Sequence, residues 1–154
     1  KCAIGDKNEN KQFYLSKRSN LHSMIKPFGY KGHTVVKTRT LDTLLDELNI
    51  KHVDLVRMDL EGYEVEVIEG MQSTLLNSRP ILVIEVHCDI LGYSKVRTLL
   101  TKLFDTGYKV DFVADRDKDF AYVKMKDRNY LTNEELMNSL TDYRVFSVFL
   151  RCDK

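Results

Sequence analysis

The sequence predicts an α/β fold built on a largely parallel sheet, and three observations carry that prediction. β-Branched apolar runs alternate along the chain with segments whose apolar residues recur at helical spacing. Residues 81–87 (ILVIEVH) form an almost uninterrupted apolar strand, the pattern of a strand covered on both faces. The 154 residues are 43% hydrophobic and 31% charged, with no linker-like stretch, as in one soluble globular domain spanning residues 1–154.

The elements follow in order. Residues 11–16 (KQFYLS) and 34–40 (TVVKTRT) read as two strands of an antiparallel hairpin, separated by a loop carrying Pro27, Gly29 and Gly32. Residues 41–48 (LDTLLDEL) place Leu41, Leu44, Leu45 and Leu48 on one helical face, and Thr40 is positioned to cap that helix. A strand at 53–58 (VDLVRM) leads into a helix over 62–76, whose Val65, Ile68, Met71 and Leu75 keep helical spacing until Pro80 stops it. The 81–87 strand, an amphipathic helix over 94–104 and a strand at 108–114 continue the alternation. Thr132 and Glu135 match a capping box opening a helix over 133–140, and residues 145–150 (VFSVFL) form the last strand.

Charge and cysteine usage narrow the function classes. Twenty-four basic residues against 23 acidic give a net charge of +1, which supplies no general pull toward nucleic acid or anionic lipid. No window approaches about 18 consecutive apolar residues, so no membrane span is expected. The first six residues (KCAIGD) contain neither a signal-peptide core nor an initiator Met, and we expect the chain to begin inside a longer protein. Cys2, Cys88 and Cys152 are far apart and form no CxxC pair. That usage fits a reducing, cytoplasmic setting, with the thiols acting as small hydrophobes and no metal ligand set assigned.

In an open α/β sheet, ligands bind beyond the carboxyl ends of the parallel strands. Two stretches occupy those ends: Asp59-Leu60-Glu61-Gly62-Tyr63-Glu64 after the 53–58 strand, and Glu85-Val86-His87-Cys88-Asp89 closing the 81–87 strand. Neighbouring parallel strands would bring Asp59, Glu61, Glu85 and His87 to one rim. Strand alternation puts Glu85 and His87 on the face shared with Ile81 and Val83, and Leu82, Ile84 and Val86 on the other. A carboxylate in so apolar a strand needs a partner, for which Arg57 and Lys124 are candidates, or a ligand. His87 titrates near neutrality and suits a general base, although strand-end histidines also serve as hydrogen-bonded structural residues. Asp59 and Glu61 are placed to cap the following helix, and Gly62 points to an unusual dihedral or a close approach.

Taken together, VDLVRMDLEGYEVEVIEGM followed by RPILVIEVH resembles the signature of the FkbM-type S-adenosylmethionine-dependent methyltransferases. The resemblance extends back through Cys2-Ala3-Ile4-Gly5-Asp6 and VVKTRTLDTLL, and forward more weakly to residue 113. It implies a class I methyltransferase fold, a Rossmann-like, mostly parallel sheet with a β-hairpin insertion, and methyl transfer from S-adenosylmethionine. The acceptor it implies is a hydroxyl of a sugar, polyketide or related small molecule. It also places Ala3, Ile4 and Gly5 near the cofactor's adenine and Asp59 at the methyl-transfer site. The chain departs from the family in one respect: it contains no Gly-x-Gly turn, so the N-terminal strands and the cofactor-binding half are expected to be missing ahead of Lys1.

Without them, the 53–58 strand is expected to lie at an apolar sheet edge. Two functional readings follow from the sequence. The first is the acceptor-side portion of an O-methyltransferase, with Glu85 or His87 taking the hydroxyl proton and Asp59 orienting the acceptor or a cation such as Mg²⁺. The second is a non-catalytic module that binds a protein or carbohydrate through the hairpin and its basic, aromatic stretch 26–31 (KPFGYK).

Overall fold

A computed structural model describes residues 1–17, 22–26, 29–115 and 128–152. Pro27, Phe28 and Lys124, named above, lie outside the described residues. The described elements form two sheets. The smaller comprises β1 (Ala3–Ile4), β2 (Asn10–Leu15) and β3 (Gly32–Arg39) in the order β1-β3-β2. Strands β2 and β3 are the expected antiparallel hairpin, with Phe13 opposite Thr34, and β1 joins β3 in parallel.

Helix α1 (Leu41–Glu47) begins as expected at Thr40, whose hydroxyl accepts the Thr43 N–H at 3.1 Å. Its apolar face is only half covered, and Leu48 just beyond it is 60% exposed. Strand β4 (Leu55–Met58) then leads to a helix that differs from the uninterrupted one expected over 62–76. Two short helices stand there, α2 (Glu64–Glu69) and α3 (Gln72–Asn77), broken at Gly70 and Met71. The break has a cause in tertiary structure. The Asp42 carboxylate of α1 accepts the Ser73 and Thr74 amides at 2.8 and 2.9 Å and so caps α3, while the Gly70 carbonyl accepts the Asp42 N–H.

Next come β5 (Ile81–His87), the single-turn α4 (Cys88–Leu91), α5 (Tyr93–Asp105) and β6 (Tyr108–Asp115). They are followed by β7 (Arg128–Asn129), α6 (Asn133–Ser139) and β8 (Val145–Cys152). The capping box at Thr132 and Glu135 is complete.

The larger sheet runs β4-β5-β8-β6-β7. Here the expectation of a mostly parallel sheet is corrected. Only β4 and β5 pair in parallel, because β8 returns antiparallel between β5 and β6 and β7 pairs antiparallel with β6. Strands β4, β5 and β6 still point the same way, so the α/β wrapping survives while the ladders are mixed. Among the described residues β4 pairs only with β5, at the sheet edge.

Double-sided burial of β5 holds only toward its carboxyl end. Leu82, Ile84 and Val86 are fully buried and lie opposite Leu150, Val148 and Phe146 of β8. They share one core with Ile68, Met71 and Leu75 of the α2–α3 segment and with Val96, Leu99, Leu100 and Leu103 of α5. On the other face Ile81 is 49% exposed and its partner Leu55 is 55% exposed. The same face is half-buried at Val83 and Glu85 and buried at His87, so cover on that side is lost only toward the start of β5.

No helix among the described residues is long and apolar enough to cross a membrane. All three cysteines are free thiols. Cys88 opens α4, and burial pushes its thiol up to about 11. In the folded protein at pH 8 a disulfide reagent is therefore expected to modify exposed Cys2 and leave Cys88 intact until denaturant is added, which mass spectrometry of the labelled peptides checks.

Candidate active site

Parallel pairing of β4 and β5, with Met58 opposite Ile84, sets their carboxyl ends side by side. Beyond Met58 the chain turns through Asp59, Leu60, Glu61 and Gly62 into α2. Two consecutive residues of this turn have positive φ, Glu61 at 52° and Gly62 at 93°. The positive φ is what requires Gly62; a Cβ there would also stand 2.6 Å from Ile90 Cγ2, a half-exposed side chain that can turn aside.

The carboxylate that satisfies this turn is neither Asp59 nor Glu61, as sequence reasoning had it, but Glu64. Wholly buried, it accepts the Leu60 and Gly62 amides on Oε1 at 3.2 and 3.3 Å. Glu64 shares a helical face with Val67, Ile68 and Met71, all buried, so its burial was foreshadowed by helical spacing within the block quoted above. Glu64→Leu is expected to cost about 2–4 kcal/mol by orphaning two buried amides. Glu64→Gln, which keeps a carbonyl acceptor, should lose much less, and urea titration of the two variants checks the difference.

His87 ends β5 and is 7% exposed. Its Nδ1 faces Glu64 Oε1 at 3.7 Å, and its Nε2 faces Glu61 Oε2 at 3.6 Å and Glu85 Oε1 at 4.0 Å. These separations exceed hydrogen-bond length, so the interaction is electrostatic. Burial opposes the imidazolium, but Glu64, Glu61 and Glu85 outweigh it and hold the His87 pKa above the usual histidine value. Burial likewise raises the Glu61 pKa, with neighbouring Asp59, Glu64 and Glu85 adding to the effect and His87 opposing it. Arg57 approaches Asp59 at 3.5 Å, the arginine well exposed and the aspartate partly so.

A cleft of about 440 Å³ opens between β1, the hairpin and the end of β4. Ala3, Ile4, Phe13 and Met58 give it an apolar floor, and Asp59 and Glu61 close its polar end. Gly5 is not part of the lining. It packs against Tyr63, whose hydroxyl lies 3.0 Å from where a Gly5 Cβ would be. Glu85 and His87 also lie outside the lining, behind the Asp59–Glu61 rim.

Two residues, Lys11 and Ser23, fasten the hairpin over the cleft. Lys11 of β2 donates to the Tyr63 hydroxyl at 2.7 Å and to Asp6 at 3.4 Å, and the Ser23 hydroxyl donates to the Glu61 carbonyl at 3.3 Å. Sequence reasoning missed Lys11 and Tyr63, because no local pattern relates residues so far apart along the chain.

The four rim residues are thus brought together, with Asp59 and Glu61 shared between rim and cleft. Ala3 and Ile4 give the cleft an apolar wall at the end away from Asp59 and Glu61. The sequence contains no Gly-x-Gly turn.

Comparison with known proteins agrees with this architecture. The chain is 29% identical over 98 residues to a hexuronic acid methyltransferase, AglP, of Haloferax volcanii. That alignment covers 58% of this chain and 36% of the relative. No solved structure matches. The model of the methyltransferase FkbM domain matches residues 2–110, most of the chain, and the protein belongs to that family.

Proposed function

We propose that the protein takes part in methyl transfer from S-adenosylmethionine to a hydroxyl of a small-molecule acceptor, with sugars as the leading class. On this reading, residues 1–154 form the acceptor-side portion of one methyltransferase domain. The observation that carries it is the position of Asp59 and Glu61, which line an apolar cleft on one side and a carboxylate–histidine rim on the other. The sugar assignment draws on the name of the Haloferax volcanii relative, a hexuronic acid methyltransferase.

Ala3 and Ile4 would hold the adenine, and Asp59 would face the reacting end. When bound, the cofactor supplies an electrophilic methyl group on a sulfonium. The protein's share is to hold the acceptor oxygen in line, which accounts for much of the rate in such displacements. Asp59 orients the hydroxyl, and Glu61, at the junction of cleft and rim, takes its proton, with Glu85 and His87 setting the electrostatics behind it.

Calorimetry with S-adenosylmethionine tests the reading. The full-length protein is expected to bind it, and residues 1–154 alone to bind weakly or not at all, since they contain no Gly-x-Gly turn. Failure of the full-length protein to bind would overturn the proposal.

A further inference from the structure

The rim also presents a set of donor atoms with the composition of a metal site. One oxygen of Asp59, one of Glu85 and a ring nitrogen of His87 all lie within 4.8 Å of one another. Clustered carboxylates alone would mean little, but two buried groups set this cluster apart. The His87 side chain is only 9% exposed and its Nδ1 has no hydrogen-bond partner. Glu64 is wholly buried and its Oε2 is likewise without one. Buried polar atoms in a native fold are nearly always satisfied, so such exceptions call for a physical reason.

The geometry along the imidazole supplies one. Nδ1 faces Glu64, while Nε2 faces the open rim of Glu61 and Glu85. Glu64 is itself fixed by the Leu60 and Gly62 amides. A histidine that binds a metal through one nitrogen commonly turns its other nitrogen toward a carboxylate, which sets tautomer and ring orientation. The sequence Glu64, His87, rim follows that order.

We infer that Asp59, Glu85 and His87 bind a divalent cation of the first transition row, with Mn²⁺ the best match. Nε2 is the nitrogen ligand, and Glu64 orients the ring from behind. One imidazole with two carboxylates suits Mn²⁺ better than Mg²⁺, which favours oxygen and retained water. The spacing, up to 4.8 Å, is wider than the edge of a tetrahedral zinc site, about 3.4 Å for metal–ligand bonds near 2.1 Å. An octahedral edge is shorter still, about 3.1 Å for bonds near 2.2 Å, so in either geometry the side chains close on the ion by small rotations, and water completes the shell. The cation also offsets the charge of four carboxylates, Asp59, Glu61, Glu64 and Glu85, gathered around one imidazole. Arg57, 66% exposed, is free to swing from Asp59 as the ion enters.

Metal binding is read directly, independently of methyl transfer. Mn²⁺ is titrated into chelator-treated full-length protein and followed by calorimetry and pulsed electron paramagnetic resonance. We expect one site with a Kd below roughly 0.1 mM, magnetic coupling to a histidine nitrogen, and loss of that coupling in His87→Gln. Asp59→Asn, at a partly exposed position, should weaken binding by at least about tenfold and guards against a His87 variant that does not fold. Absence of binding at that concentration, bound Mn²⁺ without nitrogen coupling, or unchanged affinity in Asp59→Asn would each overturn the inference.

Discussion

Asp59→Asn in the full-length protein is expected to lower methyl transfer by roughly ten- to a thousandfold, a barrier increase of about 1.4–4 kcal/mol. Asparagine keeps the size and much of the hydrogen-bonding capacity while removing the charge. Asp59 is partly exposed, and its ion pair with Arg57 at 3.5 Å is itself exposed and worth little to stability. The turn into α2 depends on Glu64 for its amides, so Asp59 carries no capping duty there. Thermal stability should therefore hardly move. Near-normal turnover in a folded Asp59→Asn protein would remove Asp59 from the reaction.

The second large effect is on stability. Gly70→Ala is expected to cost about 3 kcal/mol, because the added Cβ would lie 2.0 Å from the Gly5 carbonyl oxygen and 3.0 Å from its carbonyl carbon. These are backbone atoms, and no rotamer change relieves the clash. Either β1 lifts away or the α2–α3 junction moves. Since Ala3 and Ile4 line the cleft, lifting β1 should also impair cofactor binding. Urea unfolding checks the first effect and calorimetry the second. A loss below about 0.5 kcal/mol, the range of ordinary surface substitutions, would show that the junction accommodates a side chain there.

The two glycine positions show where sequence reasoning reached and where it stopped. Gly62 was legible as a special turn because it sits between a strand and a helix signal, and its positive φ explains it. Gly70 was not, because it interrupts a run with sound helical spacing and its reason is a backbone 65 residues earlier in the chain. The hairpin, the Thr40 cap, the Thr132–Glu135 capping box and β5 were legible from local pattern alone.

Direction within the sheet was another matter. Residues 145–150 read as a strand, but that β8 enters antiparallel between β5 and β6 is decided by the path of the chain after α6, which leaves no local trace. Likewise the composition of β5 announced a central strand, while the exposure of Ile81 depends on what covers the sheet. In the candidate site, the meeting of Asp59, Glu61, Glu85 and His87 followed from strand ends. Glu64 behind His87 and Lys11 on Tyr63 required the folded chain.

The most direct test of the proposed activity is to incubate the full-length protein with methyl-labelled S-adenosylmethionine and a panel of sugar acceptors, uronic acid glycosides among them, and to locate the label by mass spectrometry and NMR. The expected product is a methyl ether on an acceptor hydroxyl, formed with an equimolar amount of S-adenosylhomocysteine and suppressed by Asp59→Asn. Absence of any transfer across the panel by a protein that binds the cofactor, or label found only as a methyl ester on the acceptor carboxylate, would contradict it.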